Sequence, residues 1–148
     1  MVTISCVIDS DIAVDFLRRR EYAPLLLREW SEKGRIAVST LTHFEVFQGM
    51  RPNEEEFTRD FLASLVSLDA TVSITQSAGT VAHNLLTRGI SIGTADVIIA
   101  ATALEVGVPL ITNNVRHFSV PGLTIVHGKG GDSFQIRERR HRYSARKS

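Results

Sequence analysis

The feature that most constrains this chain is the stretch Thr94–Phe118, TADVIIAATALEVGVPLITNNVRHF. From Val97 to Leu104 nearly every side chain is small or apolar, so a helix here is apolar all round and belongs in an interior. Its first turn nevertheless carries a carboxylate, Asp96. Gly107 and Pro109 stop the helix. A short apolar strand, Val108–Ile111, comes next, and Thr112-Asn113-Asn114 stand at its end. Polar groups at the ends of two buried elements require an explanation, and the rest of the chain offers one.

Thr3–Ile8 reads as a buried strand of β-branched residues, ending at Asp9-Ser10-Asp11. Ile12–Arg20 has helical spacing, with Asp11 placed to cap it. Tyr22–Lys33 predicts a second helix closed by Gly34, Ile36–Ser39 a second strand, and Leu41–Met50 a third helix. Pro52 opens a fourth helix, whose first turn carries Glu54, Glu55 and Glu56. Val72–Ile74 reads as a brief strand, Gln76–Arg88 as a helix capped by Gly89, and Leu123–Val126 as a last edge strand. Strands alternating with helices, without an Asn-Gly hairpin signal, predict an α/β fold: a three-layer α/β/α sandwich on a mostly parallel sheet.

Composition sets the remaining bounds. Of 148 residues, 43% are hydrophobic and 22% charged, which argues against global disorder. No apolar run approaches the ~20 residues of a membrane span, and the start of the chain has no basic leader. Cys6, the only cysteine, alternates with Ile4 and Ile8 and reads as a buried, inert thiol, in keeping with a cytoplasmic location. The net charge of +1 is unevenly placed. Residues 1–127 hold 10 Lys and Arg against 14 Asp and Glu, and residues 128–148 hold 7 against 2. The expectation is one folded domain over 1–127 and a basic, loosely ordered tail over 128–148, with a short helix at Phe134–Arg142.

In an open α/β sheet, ligands gather at the carboxyl ends of the strands, where strand order switches. Four polar residues fall there: Asp9 after the first strand, Glu45 in the helix after the second, Asp96 at the start of the apolar helix and Asn114 after the fourth strand. Each also has a structural reading. Asp9 or Asp11 caps a helix, Thr42-x-x-Glu45 is a capping box, Asp96 complements a helix dipole behind a Thr94 cap, and Asn114 caps the turn Val115–Phe118. Their joint occurrence at one end of one sheet favours a site. Clustered, buried carboxylates repel and take up protons, a conflict that a divalent cation removes. Hard oxygen ligands without nearby His or Cys select Mg²⁺ or Mn²⁺ over zinc. Such an ion can activate water for phosphodiester hydrolysis.

Val7-Ile-Asp9-Ser-Asp-Ile-Ala-Val-Asp-Phe-Leu17 resembles the opening of PIN-domain ribonucleases of the VapC toxin type. Ser39-Thr-Leu-Thr42-x-x-Glu45-x-x-x-Gly49 resembles their second motif. Asp96-Val-Ile-Ile-Ala-Ala-Thr-Ala103 and Leu110-Ile-Thr112-Asn-Asn114-Val-Arg-His-Phe118 resemble their third and fourth. The resemblance implies a PIN-like fold and a metal-dependent endoribonuclease acting on structured RNA such as transfer RNA. It also implies a small antitoxin as partner and a homodimer. Carried over, Asp9 and Asp96 match the metal-binding acids, Glu45 the third acid, and Ser10 and Thr112 the hydroxyls that orient acids or water. Asn114 stands where many members have aspartate; it removes one charge and leaves one metal better supported than two.

Arg116 and His117 follow the acids and suit RNA phosphate, or a solvated turn with Arg116 pairing an acid. His43 and His83 read as satisfied helix residues. Aromatic residues Trp30, Phe44 and Phe61 suit either a core or a groove for an antitoxin helix. Two rival functions stand beside the nuclease. One is a non-cleaving PIN-like module that binds RNA or protein, which the uncharged Asn114 would suit and the intact Asp9, Glu45 and Asp96 argue against. The other is a haloacid-dehalogenase-like phosphatase, suggested by Asp9-x-Asp11. That chemistry needs a lysine late in the core, and Lys33, Lys129 and Lys147 do not supply it.

Overall fold

The β-branched runs assemble into one sheet. The computed structural model describes residues 2–130 and the backbone of 134–135. Its strands are β1 (Ile4–Ile8), β2 (Arg35–Ser39), β3 (Val66–Leu68), β4 (Leu110–Thr112), β5 (Thr124–His127) and β6 (Phe134–Gln135). They lie in the order β3-β2-β1-β4-β5-β6, with β1 to β5 parallel and β6 antiparallel to β5. The helices are α1 (Ser10–Leu17), α2 (Tyr22–Ser31), α3 (Thr40–Gln48), α4 (Glu55–Ala63), α5 (Val72–Leu86) and α6 (Thr94–Val106), with a 3-10 turn at Val115–His117. Among the described residues no helix is long and apolar enough to cross a membrane.

Strand periodicity sorts the core into two faces. Cys6, Ile8, Ile36, Val38 and Ile111 point to one face, where they meet Ile12, Leu26, Leu27, Phe61 and Leu62 of α1, α2 and α4. Val7, Ala37, Leu110 and Ile125 point to the other, where they meet Ile99, Ala100 and Ala103 of α6. Burial pushes the Cys6 thiol up to about 11, so it stays protonated at neutral pH. The opposite side of α6 is covered in turn: Val97 and Ala101 pack on Ile74 and Ala78 of α5. Covering on both sides explains why α6 is apolar all round. Removing a side chain such as Ile99, fully buried, from water contributes roughly 1.5–3 kcal/mol.

The structure departs from the sequence reading at several ends. Val72–Ile74 is the first turn of α5, because Thr71 caps that helix by accepting the Ile74 N–H at 3.1 Å; the third strand is β3 instead. Pro52 lies in a turn, not a helix. Asn53 takes a left-handed conformation (φ 68°) that interrupts helical geometry, and α4 starts at Glu55. The cap of α1 is Asp9 rather than Asp11, that of α3 is Ser39 rather than Thr42, and Gly93 rather than Thr94 occupies the cap position of α6. The tail helix expected at Phe134–Arg142 starts instead as strand β6; the other residues of that span lie outside the described ones.

Strand order switches beside β1, since the chain builds β2 and β3 on one side and β4 and β5 on the other. The carboxyl ends of β1 and β4 therefore form the crevice in which this architecture collects ligands.

Candidate active site

Register places the first acid. Ile8 pairs with Ile111, and the Asp9 N–H donates to the Ile111 carbonyl at 2.9 Å, so Asp9 and Thr112 emerge side by side. The Thr112 hydroxyl donates to Asp9 Oδ2 at 2.8 Å, and the Ser10 N–H donates to Asp9 Oδ1 at 2.7 Å. Asp9 is 5% exposed and Thr112 fully buried. The same Thr112 oxygen accepts the Asn114 N–H at 2.9 Å, which ties the turn after β4 to the carboxylate.

Asp11 joins this group, a role sequence reasoning missed. Its carboxylate accepts the Asn113 N–H at 2.8 Å as well as the Ile12 N–H at 2.8 Å. The Asp-x-Asp spacing was the available signal. Asn113 is held on every side. Its amide NH₂ donates to the Tyr22 hydroxyl at 2.7 Å, its Oδ1 accepts the Lys129 N–H at 3.1 Å, and the Tyr22 hydroxyl donates to Asp15. Gly128 makes this possible: a Cβ there would meet Ile12 Cδ1 at 2.4 Å and Asn113 Oδ1 at 2.6 Å.

Glu45 reaches the group from α3, accepting a hydrogen bond from the Ser10 hydroxyl. Thr42 lies one turn earlier on the same side of α3. Its hydroxyl is completely buried and has no hydrogen-bond partner among the described residues. Asp96, in the first turn of α6, is looser. Its side chain is 28% exposed, and His117 Nδ1 stands 3.9 Å from its carboxylate. Asn114 lies at the rim, exposed, at the cap position of the 3-10 turn but without a side-chain capping bond. Arg116 is exposed and makes no ion pair among the described residues. His43 bonds Ser67 Oγ at 2.8 Å and His83 is exposed, both away from the acids. Phe61 and Trp30 pack into the core, whereas Phe44 is 64% exposed.

Burial and neighbouring charge raise the proton affinity of the acids. Burial first, then the charge of Asp11, pushes Asp9 up to about 7, against the pull of the Thr112 hydroxyl and the Ser10 N–H; Asp96 adds a smaller upward push. Asp11 is raised by burial, against its backbone donors. Asp96 is raised by burial, with His117 pulling down and Glu45 and Asp11 pushing up. Desolvation and like charge have the same sign here, which is the signature of a site short of positive charge.

A divalent cation fits that deficit. Among the described residues no three His, Cys, Asp or Glu side chains converge tightly enough to hold a metal by themselves. Two carboxylates completed by water and phosphate oxygens are the donor set Mg²⁺ accepts, whereas a structural zinc would need a closed N/S cage. Asp9 and Asp96 are the acids that would hold the ion, with Glu45 and Asp11 beside them.

The profile of the PIN domain family matches residues 6–123. A ribonuclease, VapC19 of Mycobacterium tuberculosis, is 38% identical over 113 residues, which cover 76% of this chain and 90% of that protein. A toxin–antitoxin complex from Klebsiella pneumoniae superposes with a TM-score of 0.71 at 26% identity, over 86% of this chain and 100% of that one. The DNA-bound VapBC of Salmonella typhimurium has the same fold, with a TM-score of 0.74 at 22% identity over 83% and 97% of the two chains.

Proposed function

The chain belongs to the PIN domain family, and on that premise we propose that it is an endoribonuclease that hydrolyses phosphodiester bonds in RNA as the toxin of a toxin–antitoxin pair. Ribonucleases of this family depend on a metal ion; here the ion is Mg²⁺ or Mn²⁺, because the donors are carboxylates. The observation that carries the reading is Asp9, a nearly buried carboxylate pinned by two donors yet pushed up to about 7 by its surroundings.

The residues divide the work. Asp9 and Asp96 bind the ion, and Thr112 and the Ser10 N–H fix the Asp9 carboxylate in orientation. Glu45, held by Ser10, shapes the pocket and orients the attacking water as hydrogen-bond acceptor. Asn114 offers an amide at the rim. A bound divalent cation supplies a Lewis acid for the phosphoryl oxygens and a water of lowered pKa. The RNA is structured, such as transfer RNA; the partner is a small antitoxin; the toxin works as a homodimer in the cytoplasm. A cleft of about 610 Å³, with Phe16, Pro24 and Leu65 beside Arg28, Arg35 and Ser64, supports a surface for an antitoxin helix.

The test is incubation of purified protein with RNA, with and without Mg²⁺ or Mn²⁺, beside Asp9→Ala and Asp96→Ala. Cleavage by the wild type alone, and only with metal, is the expected result. Equal cleavage by all three proteins, or none by the wild type with metal, overturns it.

A further inference from the structure

We propose that the cleft on the far side of Asp96 is a nucleotide subsite, which holds one nucleotide of the RNA strand next to the phosphate being cleaved. In it the base lies against Ile90 and Ile92, and the phosphate meets Arg116. This rests on the ribonuclease reading and deepens it.

The cleft has a volume of about 310 Å³ and shares Asp96 as a wall with the acid group; Arg116, His117, Ser91 and Ser119 complete its polar side. That volume is at the small end of ligand sites, suited to one nucleotide and too small for a stacked run of bases. Its two sides differ in chemistry as the two halves of a nucleotide do. Ile90 and Ile92, backed by buried Leu85, offer an apolar bed. Ser91 and Ser119 offer hydroxyls that both donate and accept, which suits base edges of any pattern. Arg116 brings a guanidinium whose fork matches a phosphate, and it has no acid to neutralise it among the described residues.

The walls are built before any ligand arrives. Helix α5 ends in paired bonds, Ile90 N–H to the Leu85 carbonyl and Gly89 N–H to the Leu86 carbonyl, each 2.9 Å, with Gly89 left-handed at φ 76°. This closure brings the side chains before and after the turn together: buried Leu85 backs the bed that Ile90 presents. Opposite, the 3-10 turn is closed by the His117 N–H on the Asn114 carbonyl at 2.9 Å and anchored by fully buried Phe118. A bed fixed by backbone bonds spares the ligand the cost of ordering it. The position is specific too: Asp96 lines the cleft and lies close enough to Asp9 for their charges to interact, so a strand crossing the acids places its neighbouring nucleotide here.

The experiment uses the full chain without divalent metal and the four nucleoside 5′-monophosphates, followed by amide chemical shifts. Shifts at Ser91, Ile92, Gly93, Arg116 and Ser119 are expected, and Ser91→Trp, a change at an exposed residue checked by thermal melting, should weaken binding by about tenfold or more. Arg116→Ala should weaken it severalfold and, with RNA and metal, raise KM more than it lowers kcat. Shifts confined to other surfaces, or Ser91→Trp binding like the wild type, overturn the subsite. If the monophosphates bind here but RNA is never cut, the subsite stands and the nuclease reading falls. Cleavage without monophosphate binding at these residues leaves the nuclease and removes the subsite.

Discussion

The two sides of the acid group are built differently. On the β1–β4 side, Asp9, Asp11, Thr112 and Asn113 form a continuous hydrogen-bonded unit, in which Thr112 donates to one acid while the Asn113 N–H serves the other. On the α6 side, Asp96 has His117 at 3.9 Å, and an open cleft begins. Both acids stand at the positive ends of helices. The difference is what covers them. Asp9 sits where two central strands end, beneath the turn that follows β4. Asp96 sits on a helix packed between the sheet and α5, with its first turn at the rim. The closed side holds a charge in place; the open side leaves room for a substrate strand.

Damage on the closed side should exceed damage on the open side. The largest effect is expected for Asp9→Asn, which keeps the shape and removes the charge. Cleavage measured with Mg²⁺ should fall by about 10²–10³-fold. Stability should move the other way. The folded-state pKa of Asp9 is about 7 against an ordinary 3.8, so its contribution to the metal-free fold is complete below about pH 4 and is lost as pH rises through 7. Thermal melts of metal-free protein should therefore show Asp9→Asn gaining on the wild type between pH 5 and 8. A constant difference across that range would show that burial does not load this carboxylate.

Thr112→Val comes next. It removes the donor to Asp9 and the acceptor for the Asn114 N–H. Urea unfolding should lose about 1–3 kcal/mol, and activity should drop by about 10- to 100-fold, as for a group that orients a metal ligand. An unchanged activity would show that Asp9 needs no orienting partner.

Metal itself should sharpen the contrast at intermediate size. Adding Mg²⁺ or Mn²⁺ should raise the melting temperature of the wild type, by mass action, and more at pH 8 than at pH 5, because protons compete for the raised acids. Asp96→Asn should keep a smaller metal shift, whereas Asp9→Asn should keep none. Reversal of that order would put the main ligand on the open side.

The smallest effect is expected for Asn114→Asp. The residue is exposed and its side chain caps nothing, so stability should change by less than about 0.5 kcal/mol. Added charge at the rim should tighten Mn²⁺ binding a few-fold in a calorimetric titration; weaker binding would place this side chain outside the ion's reach.

Much of the scaffold was legible in the chain. Helix α6 was readable because an all-round apolar helix has no stable place except between layers, and the sheet and α5 supply them. The acids at strand ends were readable because an α/β sheet gathers polar residues there. The misreadings cluster where two neighbours of like chemistry competed. Val72–Ile74 has two β-branched residues of three, as β4 does, yet Thr71 caps it into a helix and the packing of Ile74 on α6 holds it there.

By itself, then, the sequence determined the layer pattern, the covered helix and the set of acids at one end of the sheet. Tertiary structure decided which member of each pair does what: Asp9 as cap and Asp11 as partner of Asn113, Asn113 enclosed and Asn114 at the rim. Asp9 and Asp11 flank the start of α1, and Asn113 and Asn114 both follow β4, so nothing local distinguishes Asp9 from Asp11 or Asn113 from Asn114. Only the register of β1 on β4, Ile8 opposite Ile111, settles which of them meet.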